Sequence, residues 1–528
     1  MDQDRRAGKI LITLGIWIAI VGIGALAWVY VIQPRMSNQL VAATSSDSAY
    51  AHTLACAADG FSGYAFLRSP AMTKTLKDAG IKLDIRDDKA DYAGRMQAMA
   101  KGDVDLAVFT IDSFIKAGVK LGYTRYEDFP GTIVLVVDQT VGGDAMVAYE
   151  EAVPTMEALN HPEGRFMFTP DSPSEFLGRV AYATFSYPLV PEQWYEEADG
   201  AADVLKKLKA ADPKAKRIYV LWEPYLSEAL KIKGVKKLLG SDKCTDCIVD
   251  VLVFGRAFAA EHPELVEQVT RAYLSAAHSY QQTQDTLHAL LIADAEAGGE
   301  KLSAYAAAAI ADGIQWKRVR ENYIHFGLEE DPQGKIKPLE DLVVYVVGML
   351  EKTGAFPKGT LTGSPTALYF SGTMRALQAS NYHPGKKAEI IADLGPGAAD
   401  LEAARAAADL PALDDAGWAK LAHVGSARVE PISFKRGTAE ISEYSQADLD
   451  ALAGNVSRWS TYYVRIVGSS QAVGDAKANA ALAAARATAV RDALVAAGIA
   501  ETRVRTASVA PSADGRSEVR FEFLQQQY

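Results

Sequence analysis

The sequence predicts an α/β protein of more than one folded unit, closed by an α+β C-terminal domain and preceded by one transmembrane helix. Three observations predict it. Ile10 to Ile32 is a 23-residue run without a charge. From Ala51 to about Asn381, short apolar runs alternate with amphipathic ones. From His423 to Tyr528 a second, shorter alternation of strand and helix patterns begins. A chain of 528 residues exceeds what one core supports, and length alone suggests roughly two to four domains.

The apolar run comes first. As a helix it would be roughly 34 Å long, enough to cross a bilayer while satisfying its own backbone groups. Arg5, Arg6 and Lys9 precede it, and Arg35 is the nearby base after it. That bias places the N-terminus in the cytoplasm and the bulk of the chain in the periplasm, on a single-pass bacterial inner-membrane anchor. A cleaved signal peptide would have an apolar core of only about 7–15 residues. The span holds no Asp, Glu, Lys or Arg, which opposes a proton-channel stator role. We divide the chain into a cytoplasmic tip and span (1–36), a tether (37–50), an α/β domain (51–390), a linker (391–422) and the C-terminal domain (423–528).

Within the α/β domain, His52–Ala58 is a strand ending at Asp59-Gly60-Phe61-Ser62-Gly63. Helices are expected at Pro70–Ala79 and Ala93–Ala100, and strands at Lys82–Arg86, Asp105–Thr110 and Thr132–Val137. This rhythm implies a parallel-type sheet with helices on both faces. Pro263 to Gly354 is expected to be almost wholly helical. In the C-terminal domain, strands are expected at Val429–Phe434, Tyr462–Val467, Val504–Val509 and Glu518–Phe523. Helices are expected at Ser445–Ser457 and Asp475–Ala497.

Composition restricts function. Apolar residues make up 49% of the chain and charged residues 23%, ordinary values for a folded protein. The net charge of −11 opposes a nucleic-acid partner, since a phosphate backbone demands a basic surface. The three cysteines are Cys56, Cys244 and Cys247. Cys56 suits a buried strand. One C-x-x-C, with no second pair, leaves a loop disulfide or two free thiols, but not a four-cysteine zinc site. No Ser/His/Asp set, Walker loop or His-rich cluster is present. No metal, cofactor or catalysis is therefore expected.

Three segments of the α/β domain resemble the periplasmic solute-binding proteins of the nitrate, sulfonate and taurine group. They are Gly102-Asp103-Val104-Asp105-Leu106-Ala107, Asp138-Gln139-Thr140-Val141-Gly142-Gly143-Asp144 and Trp222-Glu223-Pro224-Tyr225. The resemblance implies a two-lobed periplasmic-binding-protein-like fold closing on a small solute or a protein partner. Ligands of open α/β sheets sit beyond the carboxyl ends of the strands, where helix N-termini offer free N–H groups. The candidate ligand residues are accordingly Asp59, Ser62, Asp112, Ser113, Asp138, Thr140, Asp171, Ser172 and Glu223. Ser and Asp before a helix are also ordinary caps, and Ser172 or Ser174 would cap the helix that carries Glu175. Trp222 suits a core position. Should the acidic candidates converge, a simple anion would be a poor ligand.

The C-terminal domain resembles the OmpA-like peptidoglycan-associated family. The resemblance rests on Ile432-Ser433-Phe434, on Gly437-Thr438-Ala439-Glu440-Ile441, on Gly468-Ser469-Ser470-Gln471-Ala472-Val473-Gly474, on Asn479, Leu482 and Arg486-Ala487, and on Arg520 with Glu522. It implies that Gln471, Asn479, Arg486 and Arg520 occupy the peptidoglycan-binding positions. The family's aspartate, which pairs with an ammonium, falls on Gln471, so the charge-assisted half of that grip is lost. Ser469 and Ser470 replace its His and Thr, and Val519 the first of its closing arginines. Arg486 lies in line with Leu482 and Val490 on one helical face, so stacking within the fold competes with a ligand role. The expectation is a non-enzymatic envelope scaffold or sensor; the alternative is a tethered receptor of an ABC-type importer.

Overall fold

The computed structural model describes residues 50–223, 225–299, 301–384, 410–469, 475–508 and 518–526. The apolar run 10–32, the tether to residue 49, most of the linker and Gln471 lie outside the described residues. Among the described residues no helix is long and apolar enough to cross a membrane.

The chain first lays down β1 (His52–Ala58), β2 (Ile81–Asp87), β3 (Leu106–Thr110) and β4 (Gly131–Thr140). It then crosses through Val141–Gly143 to build β5 (Asp144–Tyr149), β6 (Arg165–Phe168), β7 (Tyr195–Glu197), β8 (Arg217–Trp222) and β9 (Val235–Gly240). A second crossing, through Ser241–Ile248, returns it to β10 (Val249–Gly255) and β11 (Ile314–Trp316). The first lobe is a six-stranded sheet ordered β11-β4-β10-β3-β1-β2, the second a five-stranded sheet ordered β7-β6-β8-β5-β9.

The sheets are mixed, a correction to the parallel expectation. β1 pairs parallel with β2 and β3, but β10 runs antiparallel to β3 and β4. The reason is the double crossing: β4 carries the chain out of the first lobe and β10 carries it back in. β11 corrects the wholly helical expectation for 263–354. It pairs antiparallel with the end of β4, Trp316 opposite Asp138. β3, β4 and β10 are buried throughout, which is why they are near-continuous apolar runs rather than alternating ones.

Helix starts follow local chemistry. Ser69 caps Pro70–Asp78, with Pro70 in the first turn, and Asp91 caps Tyr92–Lys101. Gly102 ends that second helix at φ +74°, a conformation that favours glycine. Cys56 is fully buried in β1, and burial pushes its thiol up to about 12. Cys244 and Cys247 are joined as a disulfide inside the second crossing.

The C-terminal domain adds β12 (Ala422–Ser426), β13 (Tyr463–Gly468), β14 (Val504–Ser508) and β15 (Val519–Gln525), ordered β12-β15-β13-β14. Helices Gln446–Arg458 and Ala476–Ala496 flank β13 in sequence. The strand expected at Val429–Phe434 is not formed. Phe434 makes only an isolated bridge to Ile441, and the first strand is β12, at the end of the expected linker. A short helix, Asp415–Ala419, also falls inside that linker. The displacement has a tertiary cause. The backbone after β12 is held by the second lobe: Ser186 N donates to Ser426 O at 2.8 Å and Arg428 N to Thr184 O at 2.6 Å. Gly425 permits this approach, since a Cβ there would lie 2.8 Å from the Phe185 ring.

Candidate functional site

The expected ligand residues gather at the carboxyl ends of β1, β3 and β4 and along the facing edge of the second lobe. Several are consumed by their own loops. Asp59 accepts from Phe61 N at 2.9 Å and from Arg95 Nη2 at 3.0 Å. Arg95 is 1% exposed and also engages Asp88, so Asp59 belongs to a buried ion-pair cluster. Ser62 is half-buried and opens a single turn, Ser62–Tyr64. Thr110 caps the helix Ile111–Lys120, and Ser113 Oγ donates back to Thr110 O at 3.0 Å. Glu223 accepts from Ser227 N at 3.1 Å and Ser227 Oγ at 2.9 Å, fixing the start of Tyr225–Leu230. Trp222, expected in the core, is only partly buried.

The crossings are clamped by one hydroxyl. Ser241 Oγ accepts from Gly142 N at 2.7 Å and Asp144 N at 3.4 Å. Thr140 is buried beside it, its N–H donating to Ile248 O at 3.1 Å. Asp144 accepts from Ser174 Oγ at 2.5 Å, and burial pushes its carboxyl up to about 7.

A carboxyl pair lies beneath the cleft. Asp138 and Asp250 are opposite each other across β4 and β10, and both Asp138 oxygens and Asp250 Oδ2 are buried with no hydrogen-bond partner among the described residues. Two buried carboxyls in facing positions repel when both are charged, which favours a proton on one of them. Burial pushes Asp138 up to about 7 and, with the neighbouring Asp138 charge, holds Asp250 well above its ordinary range. Tyr64 OH donates to Asp250 at 2.5 Å. Gly63 packs so closely that a Cβ there would lie 2.6 Å from Asp138 Oδ2. Asp250 was detectable in the sequence as the single charge inside the apolar run Ile248–Phe254.

The lobes meet through charges. Ser172 caps Pro173–Thr184, accepting from Glu175 N at 3.3 Å, and Asp171 N donates to Glu175 Oε2 at 2.5 Å. The N-terminus that would receive a ligand anion thus holds the chain's own carboxylate. From the first lobe, Lys116 Nζ reaches both Glu175 oxygens at 2.5 Å and Asp171 at 2.9 Å, and Lys120 joins Asp171. Arg179 Nε donates to Glu175 Oε1 at 2.6 Å, and its Nη1 to Thr353 O at 2.9 Å. Burial alone would raise Asp171, but Lys116 and Lys120 hold it below its usual range. Asp112, buried and near Glu175, is pushed up to about 7, chiefly by burial. Lys116 and Arg179 carry no motif, and only the folded chain brings them to Glu175. The site is acidic and bridged between the lobes, with its cations paired to its own carboxylates. Among the described residues no group of His, Cys, Asp and Glu is arranged to hold a metal.

In the C-terminal domain, Arg486 lies over the Phe434 ring, 4.8 Å from its centroid, and its Nε donates to Thr438 O at 3.0 Å. Phe434 and Thr438 belong to the segment that resembles the family's opening turn, so Arg486 is positioned by it. Asn479 is partly buried in the second turn of Ala476–Ala496, and Arg520 is exposed on β15, 3.6 Å from Glu518. Gly468 lets the helix lie against β13, since a Cβ there would meet Ala483 O at 2.3 Å.

Fold and site together define a two-lobed binding-protein-like domain joined to an α+β domain of OmpA type. Residues 433–520 match the OmpA family. No curated protein matches the chain. Similar solved structures include the periplasmic aliphatic sulphonate binding protein SsuA from Escherichia coli, with 16% identity and a TM-score of 0.46 over 61% of this chain and 99% of that one. They also include the alkanesulfonate-binding protein SsuA from Xanthomonas axonopodis pv. citri bound to MOPS, at 14% identity and TM-score 0.43 over 58% and 96% of the chains. The periplasmic nitrate-binding protein NrtA from Synechocystis PCC 6803 is similar at 12% identity and TM-score 0.38 over 59% and 91%.

Proposed function

We propose that this protein is a non-enzymatic envelope scaffold, anchored in the inner membrane by the run Ile10–Ile32 and reaching peptidoglycan through its OmpA-like domain. Its binding-protein-like domain acts as a closed docking body rather than as a receptor that opens and shuts around an imported anion. The observation that carries this reading is the Lys116–Glu175 bridge. It fills the helix N-terminus where an anion would enter and joins the lobes with a buried charge pair. Wall contact falls to Arg486, held in place by Phe434 and Thr438, with Asn479 and Arg520 nearby in sequence pattern.

Two measurements test it. Purified protein is pelleted with peptidoglycan, with Arg486→Ala as control. Retention of the wild type and loss in the variant are expected, and no retention of the wild type would remove the wall contact. Solution scattering with nitrate, phosphate or methanesulfonate should show no compaction. A ligand-dependent fall in radius of gyration would favour the importer receptor instead.

A further inference from the structure

A cavity of about 740 Å³ lies outside the lobe cleft, between the two crossings and the C-terminal domain. Its wall includes Gln139 from the end of β4, Val141 from the first crossing, Asp246 from the second, Lys317 and Lys337 from the first lobe, and Arg458 at the end of the helix Gln446–Arg458. The volume falls in the range of small-molecule sites, about 300–1,000 Å³.

Its charges are of both signs, and two of them are poorly solvated. Asp246 and Lys317 are each 5% exposed. Lys317 Nζ is held by Gln139 Oε1 at 3.0 Å and has Glu321 at 3.9 Å. Arg458 lies over the Tyr345 ring, 3.3 Å from its centroid, and its Nη1 is buried with no hydrogen-bond partner among the described residues. A buried guanidinium nitrogen in that state lacks an acceptor it would hold strongly, and a carboxylate matches its planar fork. Arg458, Lys317 and Lys337 all act on Asp246, so the three cations share one region with that carboxylate. Asp246 sits at φ +60° inside the Cys244–Cys247 loop, which the disulfide braces, and Thr245 N donates to Arg458 O at 2.9 Å.

We infer that this cavity is a binding site for a zwitterionic solute of the amino-acid or short-peptide class. Its carboxylate would lie on Arg458 and Lys317, and its ammonium on Asp246. A simple anion would meet Asp246, and a simple cation would meet Arg458, Lys317 and Lys337, so one molecule must carry both charges. A solute there touches both crossings and the C-terminal domain at once. The inference goes beyond the scaffold reading and stands whether or not the wall is bound.

Calorimetric titration of the intact protein with glutamate, lysine and alanylalanine tests it, with N-acetyl-alanylalanine and alanylalanine amide as single-charge controls. Saturable binding of at least one zwitterion is expected, with both controls weaker by about tenfold or more. Asp246→Asn keeps a residue that tolerates the left-handed backbone and should weaken the zwitterion by about tenfold while leaving N-acetyl-alanylalanine unchanged. Arg458→Gln should do the converse, sparing the amide. No saturation with any of the three zwitterions up to about 10 mM, or wild-type affinity in both variants, would overturn the inference. Peptidoglycan pelleting of Asp246→Asn, expected at the wild-type level, separates this outcome from failure of the scaffold reading.

Discussion

Lys116 Nζ of the first lobe lies 2.5 Å from each carboxylate oxygen of Glu175 in the second. The carboxylate also receives Arg179, and both Glu175 and Arg179 side chains are 3% exposed or less. The relationship is asymmetric. Glu175 neutralises two cations, whereas Lys116 is one of two partners.

Removing Glu175 should therefore cost more than removing Lys116. Glu175→Ala leaves the buried Arg179 without a carboxylate and Lys116 with Asp171 alone, and is expected to destabilise by about 3–5 kcal/mol. Lys116→Ala leaves Glu175 paired with Arg179 and should cost about 1–3 kcal/mol. Urea unfolding of the two variants measures the order. Equal losses would mean that the bridge does not hold the lobes as described.

The carboxyl pair predicts a pH effect. Asp138 is raised from the ordinary 3.8 to about 7, so the folded state holds a proton that the unfolded state releases earlier. The sign follows: this stabilisation is complete below about pH 4 and is lost as pH rises to about 7. Asp138→Asn mimics the protonated form, so its stability relative to wild type should rise across that window by a few kcal/mol, on the order of 1.4 per unit. Urea midpoints at pH 4.5 and 8 read the difference; a constant gap would exclude the raised Asp138 carboxyl.

The domain junction predicts coupled unfolding. Phe185 of the second lobe is 1% exposed and packs on Trp459 and Phe523 of the C-terminal domain, at 5.8 Å from each ring. Phe185→Ala is expected to cost about 3–5 kcal/mol and to split a single calorimetric transition into two. A single transition lowered in temperature would locate the loss within the second lobe alone.

At the positions proposed to meet the wall, Gln471→Asp should return the charge that the OmpA-like pattern carries there. A charge-assisted bond contributes about 1 kcal/mol more than a neutral one, so peptidoglycan retention should rise roughly fivefold to tenfold. Pelleting at graded salt measures it, and unchanged retention would show that Gln471 does not meet the ligand.

Thiol labelling checks the cysteines. Native protein should label weakly, since Cys56 is buried and Cys244 is bonded to Cys247. Denatured, unreduced protein should yield one thiol, and three would rule out the bond.

The strands β1, β2, β3 and β13 and the helices near Pro70–Asp78, Tyr92–Lys101, Gln446–Arg458 and Ala476–Ala496 could be located in the sequence to within a residue or two, because periodicity and caps are local. Asp59, Asp112, Asp138 and Asp171 could be chosen as strand-end acids for the same reason. Their roles could not. Lys116 and Glu175 are 59 residues apart, and Asp138 and Asp250 stand opposite each other only because the chain crosses twice. The strand expected at Val429–Phe434 does not form, and the backbone between it and β12 is held by the second lobe at Ser426 and Arg428, while β12 itself pairs with β15.

The uncharged run Ile10–Ile32, the two-domain order, the acidic balance and the glutamine at position 471 could be read from the sequence itself. They depend on residue type and short-range spacing, which need no fold to be read. Tertiary structure alone decided that the lobe cleft is filled by its own ion pairs, that Arg486 is held by Phe434, and that both charge signs surround a cavity at the crossings. Each depends on side chains brought together by chain closure, and Coulomb energy and desolvation are set by those distances and by burial rather than by order in the sequence.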